Sequence, residues 1–197
     1  RNGVGKTTLL RTILGLMDRA AGSIRLNGAE MMTWRTDQRA KAGLGYVPQG
    51  RGILPRFTVR ENIQLGLFAN TRRRGGAEER VLAFFPMLRR HLHRLGGNLS
   101  GGQQQQLAIA RALITEPRIM LFDEPTEGIQ PNIVEEIEGI ILRLNRDQGM
   151  AMIVVEQNVT FARQAAHHFI IMEKGSVVMT GTADELTEDV VERHMAV

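Results

Sequence analysis

Three short stretches of this 197-residue chain combine residue types and spacings that suit phosphate chemistry. The first is Leu99-Ser100-Gly101-Gly102-Gln103, in which Ser100 and Gln103 have the spacing of a helix capping box. Each glycine costs a helix about 1 kcal/mol relative to alanine, so an ordinary helix start would not contain two. Bare backbone lets a ligand approach the amide N–H groups, and helix N-termini bind anions. Although an isolated Ser-x-x-Gln pattern indicates only a cap, we predict that Ser100, Gly101, Gly102 and Gln103 bind phosphate.

The second stretch opens the chain as Arg1-Asn2-Gly3-Val4-Gly5-Lys6-Thr7-Thr8. It matches the phosphate loop G-x-x-x-x-G-K-S/T without its first glycine. The lysine of such a loop reaches the β- and γ-phosphates, and the hydroxyl after it binds Mg²⁺, which assigns the metal to Thr7. A flexible glycine loop is the alternative, and the apolar helical pattern from Leu9 to Leu16 disfavours it. The predicted phosphate-binding residues are Asn2, Gly3, Gly5, Lys6, Thr7 and Thr8.

The third stretch is Ile119-Met120-Leu121-Phe122-Asp123-Glu124-Pro125-Thr126. Four consecutive apolar residues predict a strand that is buried on both faces, and Pro125 cannot extend it. The two carboxylates then lie at the carboxyl end of a parallel strand, where open α/β sheets bind their ligands. We predict that Asp123 binds Mg²⁺, usually through water, and that Glu124 orients or deprotonates an attacking water. Alone, the Asp-Glu-Pro sequence would indicate a solvated turn.

Together, at these separations, the three motifs resemble the nucleotide-binding domain of ABC ATPases over essentially the whole chain. The resemblance implies an α/β fold, in which a mainly parallel P-loop NTPase core carries an α-helical subdomain. It also implies ATP hydrolysis with Mg²⁺ as cofactor, between two such domains. In that sandwich residues 99–103, here called the signature segment, face the γ-phosphate of ATP on the phosphate loop of the second domain.

The same resemblance implies partners and a location. The expected partners are a second ABC ATPase subunit, identical or different, and transmembrane permease subunits, with a periplasmic binding protein as an indirect partner. Residues 57–63 match the stretch near which a membrane partner docks. The expected location is peripheral, on the cytoplasmic face of the bacterial inner membrane.

Two glutamines add to the catalytic residues that the resemblance implies. Gln49 matches the glutamine that senses Mg²⁺ and the attacking water at the junction with the helical subdomain, so it is both a catalytic and a metal-site prediction. Gln157 stands where the family usually has its switch histidine, and Gln130 stands where it usually has aspartate. An amide can donate a hydrogen bond to a γ-phosphate but cannot carry the charge of an imidazolium. The predicted catalytic residues are therefore Glu124, Gln157 and Gln49.

Two further stretches resemble one branch of importers. Val155-Glu156-Gln157-Asn158 and Pro125-Thr126-Glu127-Gly128 are similar to the ATPases of branched-chain amino acid importers and their urea-uptake relatives. The longer stretches 99–107 and 125–131 look closest to the urea-transporter ATPase subunit. The main alternatives are a non-transport ABC ATPase and a nucleotide-binding regulator that does not hydrolyse. The short distance between residues 49 and 100 disfavours coiled-coil repair ATPases, and Glu124 disfavours a regulator.

Composition agrees with this interpretation without deciding it. The 25 basic and 21 acidic residues give a net charge of +4, and cysteine is absent. No run approaches the ~18 apolar residues of a membrane span, and no signal peptide is visible, so we expect a partner to supply any membrane link. The basic clusters at 72–74 and 89–94 lack interleaved aromatic residues, so we expect solvated faces and no nucleic-acid partner. Contact with anionic lipid is the alternative for these arginines.

The pattern of apolar residues predicts the elements that hold these motifs. Residues 1–48 and 116–197 are expected to form the ATPase core, and residues 49–115 the helical subdomain with the signature segment. A capping box at Thr182–Glu185 is expected to open a C-terminal helix. The predicted strands are residues 23–26, 44–47, 119–122, 151–155, 169–172 and 177–179.

The chain starts inside the phosphate loop, so we expect the N-terminal strands of the core to be missing from it. By family resemblance the strand before the loop lies between residues 151–155 and 169–172. Its loss would leave an unpaired apolar edge at 151–155, which invites aggregation. We therefore expect residues 1–197 alone to fold incompletely or to aggregate, and not to bind ATP measurably.

Overall fold

Helices and strands alternate along the chain in a computed structural model that describes residues 3–69 and 75–195. The α-helices are α1 (Lys6–Ile13), α2 (Thr36–Ala42), α3 (Val59–Gln64), α4 (Ala77–Phe84), α5 (Pro86–Arg90), α6 (Gly101–Leu113), α7 (Pro131–Arg146), α8 (Val159–Ala165) and α9 (Glu188–Met195). The strands are β1 (Arg25–Leu26), β2 (Ala29–Glu30), β3 (Leu44–Val47), β4 (Ile119–Asp123), β5 (Ala151–Val155), β6 (His168–Glu173) and β7 (Ser176–Thr182). Short 3₁₀ helices cover Leu65–Phe68, Gly96–Asn98 and Ala183–Glu185.

A parallel sheet in the order β3-β4-β5 forms the centre of the fold. The register pairs Val47 with Phe122 and Asp123 with Val155, so the three strands end close together. The residues that follow these strands therefore meet at one edge of the sheet, where α/β proteins bind ligands. The predicted α/β fold with a mainly parallel core is confirmed, as are the strands at 44–47, 119–122 and 151–155.

Apolar side chains cover both faces of this sheet, as alternation along β4 requires. Met120 and Phe122 belong to a large core with apolar residues of α3 to α7. Leu121 points into a smaller core on the other face, which includes Leu10 and Leu14. The region predicted as a helical subdomain thus shares one continuous core with β3, β4 and α7.

The outer edge of β5 pairs with no strand in the described part of the chain. Strands β6 and β7 pair only with each other, as an antiparallel hairpin that confirms the predicted one. Both β5 and β6 present apolar side chains to solvent, with Ile153 36% and Ile170 61% exposed.

Two predicted boundaries were wrong. The predicted strand at 23–26 is shortened to β1, which pairs with β2 through the Asn27-Gly28 turn; both turn residues have positive φ, as in a two-residue hairpin turn. The capping box at Thr182 opens only a 3₁₀ helix, and α9 begins later, at Glu188. The reason is Leu186, whose backbone leaves the helical region while its buried side chain packs in one cluster with Phe169.

No helix among the described residues is long and apolar enough to cross a membrane. Of the basic clusters, Arg72-Arg73-Arg74 lies outside the described residues. In the other cluster, Arg89 forms an ion pair with Glu79.

Candidate functional site

The phosphate loop leads directly into α1, and two glycines make this turn possible. Gly3 and Gly5 both have positive φ, at 76° and 98°, and Gly5 is the N-cap residue of α1. No side chain caps this helix start, and its first turn contains no acidic residue. Its amide N–H groups can therefore donate to a bound anion. Asn2, the remaining predicted residue of the loop, lies outside the described residues.

A cleft of about 330 Å³ opens at this helix start. It brings together predicted residues from three separate parts of the chain, which the sequence assigned by motif. They are Gly3, Gly5, Lys6, Thr7, Thr8, Gln49 and Glu124.

Asp123 lies next to Thr7 at the base of this region and is fully buried. The Thr7 hydroxyl donates to Asp123 Oδ1 at 3.2 Å, and the Tyr46 hydroxyl donates to Oδ2 at 3.3 Å. Burial raises the pKa of the Asp123 carboxyl, and these two hydrogen bonds oppose that shift. Burial, together with the charge of Asp123, raises the pKa of Tyr46 to about 12, so its hydroxyl remains a donor at neutral pH.

The oxygen atoms of Thr7 and Asp123 suit Mg²⁺, which protein sites hold through one or two carboxylates together with phosphate and water oxygens. In the described ranges, no group of three or more His, Cys, Asp or Glu side chains could hold a metal by itself. The donor set is therefore one that phosphate oxygens would have to complete. Gln49, the third predicted metal residue, lines the same cleft and donates from its amide to Glu127 Oε2 at 2.7 Å.

Glu124 is held from both sides. Lys6 Nζ lies 3.5 Å from Glu124 Oε1, and Gln157 Nε2 lies 3.0 and 3.1 Å from the two carboxylate oxygens. The Glu124 backbone has a positive φ of 48° and donates its N–H to the Val155 carbonyl at 2.9 Å. The side chain is only 7% exposed, yet it lines the cleft. Its carboxylate is thus available to a reactant bound beside Lys6.

Gln157 follows β5, as the sequence predicts for the switch position. Its side-chain amide reaches Glu124 across the ends of two neighbouring strands. The switch position predicts a phosphate contact for Gln157, whereas the contact with Glu124 depends on the register of β4 and β5.

Sequence reasoning missed Tyr46, Glu156 and Arg51. Glu156 accepts hydrogen bonds from the backbone N–H and hydroxyl of Thr126 and from the backbone N–H of Gln157. Its position directly after a buried strand, next to the switch residue, was the only available signal. Arg51 donates to Gln104 Oε1 at 3.3 Å and to the Gly128 carbonyl at 3.4 Å, across sequence separations that no local pattern reveals.

The signature segment starts α6 as predicted. The Ser100 N–H donates to Gln103 Oε1 at 3.0 Å, and the Gln103 N–H donates back to Ser100 Oγ at 3.4 Å, which completes the capping box. Ser100, Gly101, Gly102 and Gln103 do not belong to the lining of the phosphate-loop cleft.

The structure gives the two glycines of this segment a different reason from the one that the sequence suggested. A Cβ on Gly102 would lie 2.1 Å from Ile133 Cγ2, so close packing of α6 on α7 requires a glycine there. A Cβ on Gly101 would meet the Arg51 guanidinium at 3.0 Å. Packing against Ile133 therefore gives Gly102 a structural reason, and phosphate approach to this segment stays a prediction.

Known proteins resemble the chain closely. Residues 1–127 match the protein family described as ABC transporter. The high-affinity branched-chain amino acid transport ATP-binding protein BraG of Pseudomonas aeruginosa is 38% identical over 186 residues, which cover 94% of this chain and 79% of BraG. The probable branched-chain amino acid transport ATP-binding protein LivF of Archaeoglobus fulgidus is 36% identical over 190 residues, which cover 95% of this chain and 80% of LivF.

A solved structure has the same fold as this chain. The ATP-binding cassette MJ0796, in a dimeric post-hydrolysis state bound to ADP and Pi, has a TM-score of 0.80 and 28% sequence identity. The match covers 93% of this chain and 82% of that one.

Proposed function

Since this chain belongs to the ABC transporter family and is an ATP-hydrolysing cassette, we propose that it energises an importer for branched-chain amino acids or urea. The hydrolytic part of this proposal rests on the position of Glu124. Its carboxylate lies beside the phosphate-loop cleft and contacts both Lys6 and Gln157. A binding-only regulator would have no use for a buried carboxylate at this point.

The mechanism follows from the charges around the cleft. The N-terminal amides of α1 and the Lys6 ammonium attract the phosphates of ATP. The γ-phosphate then competes with Glu124 for Lys6, which loosens the ion pair that holds the carboxylate. The freed carboxylate orients the attacking water and accepts its proton, while the Gln157 amide keeps the carboxylate aligned.

Mg²⁺ fits this mechanism as a cofactor. Thr7 and Asp123 would hold it, with Gln49 at the edge of the same cleft. When bound, it neutralises negative charge on the phosphates. Asn2, Gly3, Gly5 and Thr8 complete the proposed phosphate site on this chain.

A second cassette completes the site across a dimer. In the proposed sandwich Ser100, Gly101, Gly102 and Gln103 bind the γ-phosphate of ATP on the partner cassette. The dimeric cassette bound to ADP and Pi supports this arrangement. The signature segment does not line the phosphate-loop cleft of its own chain, which also favours a site completed between copies.

Membrane permease subunits are the other proposed partners, reached from the cytoplasmic side, with a periplasmic binding protein on the far side. An apolar patch beside the predicted docking stretch supports this part of the proposal. Leu54, Phe57 and Leu95 are 39%, 41% and 42% exposed, although each is a large apolar residue. Exposed apolar groups that lie together often mark a protein interface.

The proposed cargo rests on two kinds of similarity. BraG and LivF carry the names of branched-chain amino acid transport, which favours that substrate class. The stretches 99–107 and 125–131 look closest to a urea-transporter subunit, which favours urea. Uptake of radiolabelled leucine and urea into cells with and without the gene separates these cargoes.

The hydrolytic proposal is tested on the purified full-length protein by phosphate release with ATP and Mg²⁺. Glu124→Gln retains the shape of the side chain but not its basicity, so the rate should fall about 10²–10⁴-fold. The same variant should dimerise on a sizing column only when ATP and Mg²⁺ are present. A wild-type protein without phosphate release would favour the regulator, and a variant that binds ATP yet stays monomeric would contradict the sandwich.

A further inference from the structure

Glu156, directly after β5, accepts hydrogen bonds from two separate segments of the chain. Its Oε1 accepts from the Thr126 hydroxyl at 2.7 Å and from the Thr126 N–H at 3.2 Å. Its Oε2 accepts from the backbone N–H of Gln157 at 3.0 Å and from that of Asn158 at 3.5 Å. Both carboxylate oxygens are therefore in use, and each faces a different segment of the chain.

The two segments are those that carry the central pair of the site. Asp123 and Val155 are register partners in neighbouring strands, so Glu124 and Glu156 leave the sheet side by side. Thr126 lies two residues beyond Glu124, and Gln157 lies one residue beyond Glu156. The Glu156 carboxylate thus joins the backbone after Glu124 to the backbone of Gln157, parallel to the side-chain contact between Gln157 and Glu124.

Only a carboxylate can make this junction. Glu156 faces hydrogen-bond donors on both oxygens, since backbone N–H groups cannot accept. A glutamine at this position would turn one acceptor into an NH₂ group and set donor against donor. An aspartate would be one methylene shorter and could not keep both distances.

Building on the proposed function, we propose that Glu156 is a positioning residue for ATP hydrolysis, which holds the Gln157 amide against the Glu124 carboxylate by fixing both backbone segments. It does not line the phosphate-loop cleft. It acts through Thr126 on one side and Gln157 on the other. When the γ-phosphate draws Lys6 away, this junction keeps Glu124 aligned.

The test measures steady-state ATP hydrolysis of the purified full-length protein for the wild type and Glu156→Gln. The kcat of Glu156→Gln should fall about tenfold or more, while the KM for ATP stays within about threefold, because the phosphate site is untouched. Glu135→Gln is the matched control: it removes the same charge from an exposed position on the neighbouring α7, and its kcat should equal that of the wild type.

A double-mutant cycle with Gln157→Ala separates positioning from general damage. If Glu156 acts through Gln157, then Glu156→Gln should lower kcat far less in the Gln157→Ala background than in the wild type. A full, additive loss in that background would overturn the proposal, as would a Glu156→Gln enzyme with wild-type kcat.

Thr126→Val tests the same proposal if Glu156→Gln fails to fold. It removes only the 2.7 Å hydroxyl donor and leaves the carboxylate in place. Its kcat should fall about two- to fivefold, with a melting temperature lowered by only a few degrees, and a wild-type kcat would overturn the proposal. A wild-type protein that releases no phosphate would instead refute the proposed function, before any variant is compared.

Discussion

The Asp123 carboxyl is fully buried and lies beside a second acid, Glu124, and both features disfavour its ionised form. Its pKa is raised above the ordinary value of 3.8, first by burial, so the folded state binds a proton there more tightly than the unfolded state does. The sign of the linkage follows: the ionised group weakens the fold at neutral pH, and stability increases as pH falls through the folded pKa.

Asp123→Asn should therefore stabilise the protein while it removes activity. Without nucleotide, the melting temperature should rise by about 2–4 °C for each kcal/mol of relieved desolvation. Phosphate release should drop at least about 100-fold, because the proposed metal ligand is lost. Thermal unfolding and phosphate release measure the two effects. A variant that melts well below the wild type would contradict the destabilising role of the charge.

Gln157→Ala removes the amide that contacts both oxygens of Glu124. We expect kcat to fall about tenfold, within the range for loss of an aligned general base, and ATP affinity to stay within a few-fold. Steady-state kinetics and ATP titration by calorimetry measure these quantities. If turnover of the variant equals that of the wild type, Gln157 is merely the end of a strand.

At the scale of elements, the contact between α6 and α7 depends on Gly102, which has no side chain. Gly102→Ala would place its Cβ 2.1 Å from Ile133 Cγ2 and force the helices apart. Overpacking of this kind costs about 1–3 kcal/mol, so the melting temperature should fall. Ile133→Ala, added to Gly102→Ala, should recover part of that loss.

Gly139→Ala is the matched control for this prediction, because a Cβ at Gly139, within α7, would meet nothing within 4 Å. It should stabilise the protein by about 0.5–1 kcal/mol, the usual gain from replacing a helical glycine. Equal stability of Gly102→Ala and the wild type would show that α6 and α7 are not packed closely in solution.

The elements themselves were largely predictable, because continuous apolar runs mark strands that are buried on both faces. Strands β3, β4 and β5 were placed within a residue of their bounds by this pattern. The C-terminal helix was misplaced, since a capping box does not reveal that Leu186 must turn inward to pack. A sequence pattern reports local preference, whereas this boundary is set by tertiary packing.

The site was predictable only where a motif names its residues. The phosphate loop and the acidic pair could be assigned directly, and the structure brings most of them into one cleft. The contacts of Glu156 with Thr126 and of Arg51 with Gly128 could not be anticipated, because they join segments 30 and 77 residues apart. Such contacts depend on strand register and loop path.

At the scale of the whole molecule, the patch of Leu54, Phe57 and Leu95 is rigidly built. Asn62, which is fully buried, accepts from the Leu54 N–H at 2.8 Å and donates to the Leu54 carbonyl at 2.9 Å. A patch held in this way can dock a partner without first being ordered.

Phe57→Ser should therefore reduce co-purification with membrane subunits several-fold, while the ATP hydrolysis rate of the isolated protein stays within about twofold. Val177→Ser is the control, since Val177 is a similarly exposed apolar residue, at 56%, on β7. Pull-down from solubilised membranes measures the association. Equal recovery of both variants would place the permease contact elsewhere.

At position 124, which has a left-handed backbone, folding and hydrolysis favour different residues. A non-glycine residue at a φ of 48° costs about 1–2 kcal/mol, and asparagine or glycine tolerates that conformation better than glutamate does. Mutation toward those residues is thus favoured by folding and opposed only by selection for hydrolysis. In a lineage that keeps the folded protein but no longer needs ATP hydrolysis, we expect position 124 to change early to asparagine or glycine. Gly102, which packing requires, should persist.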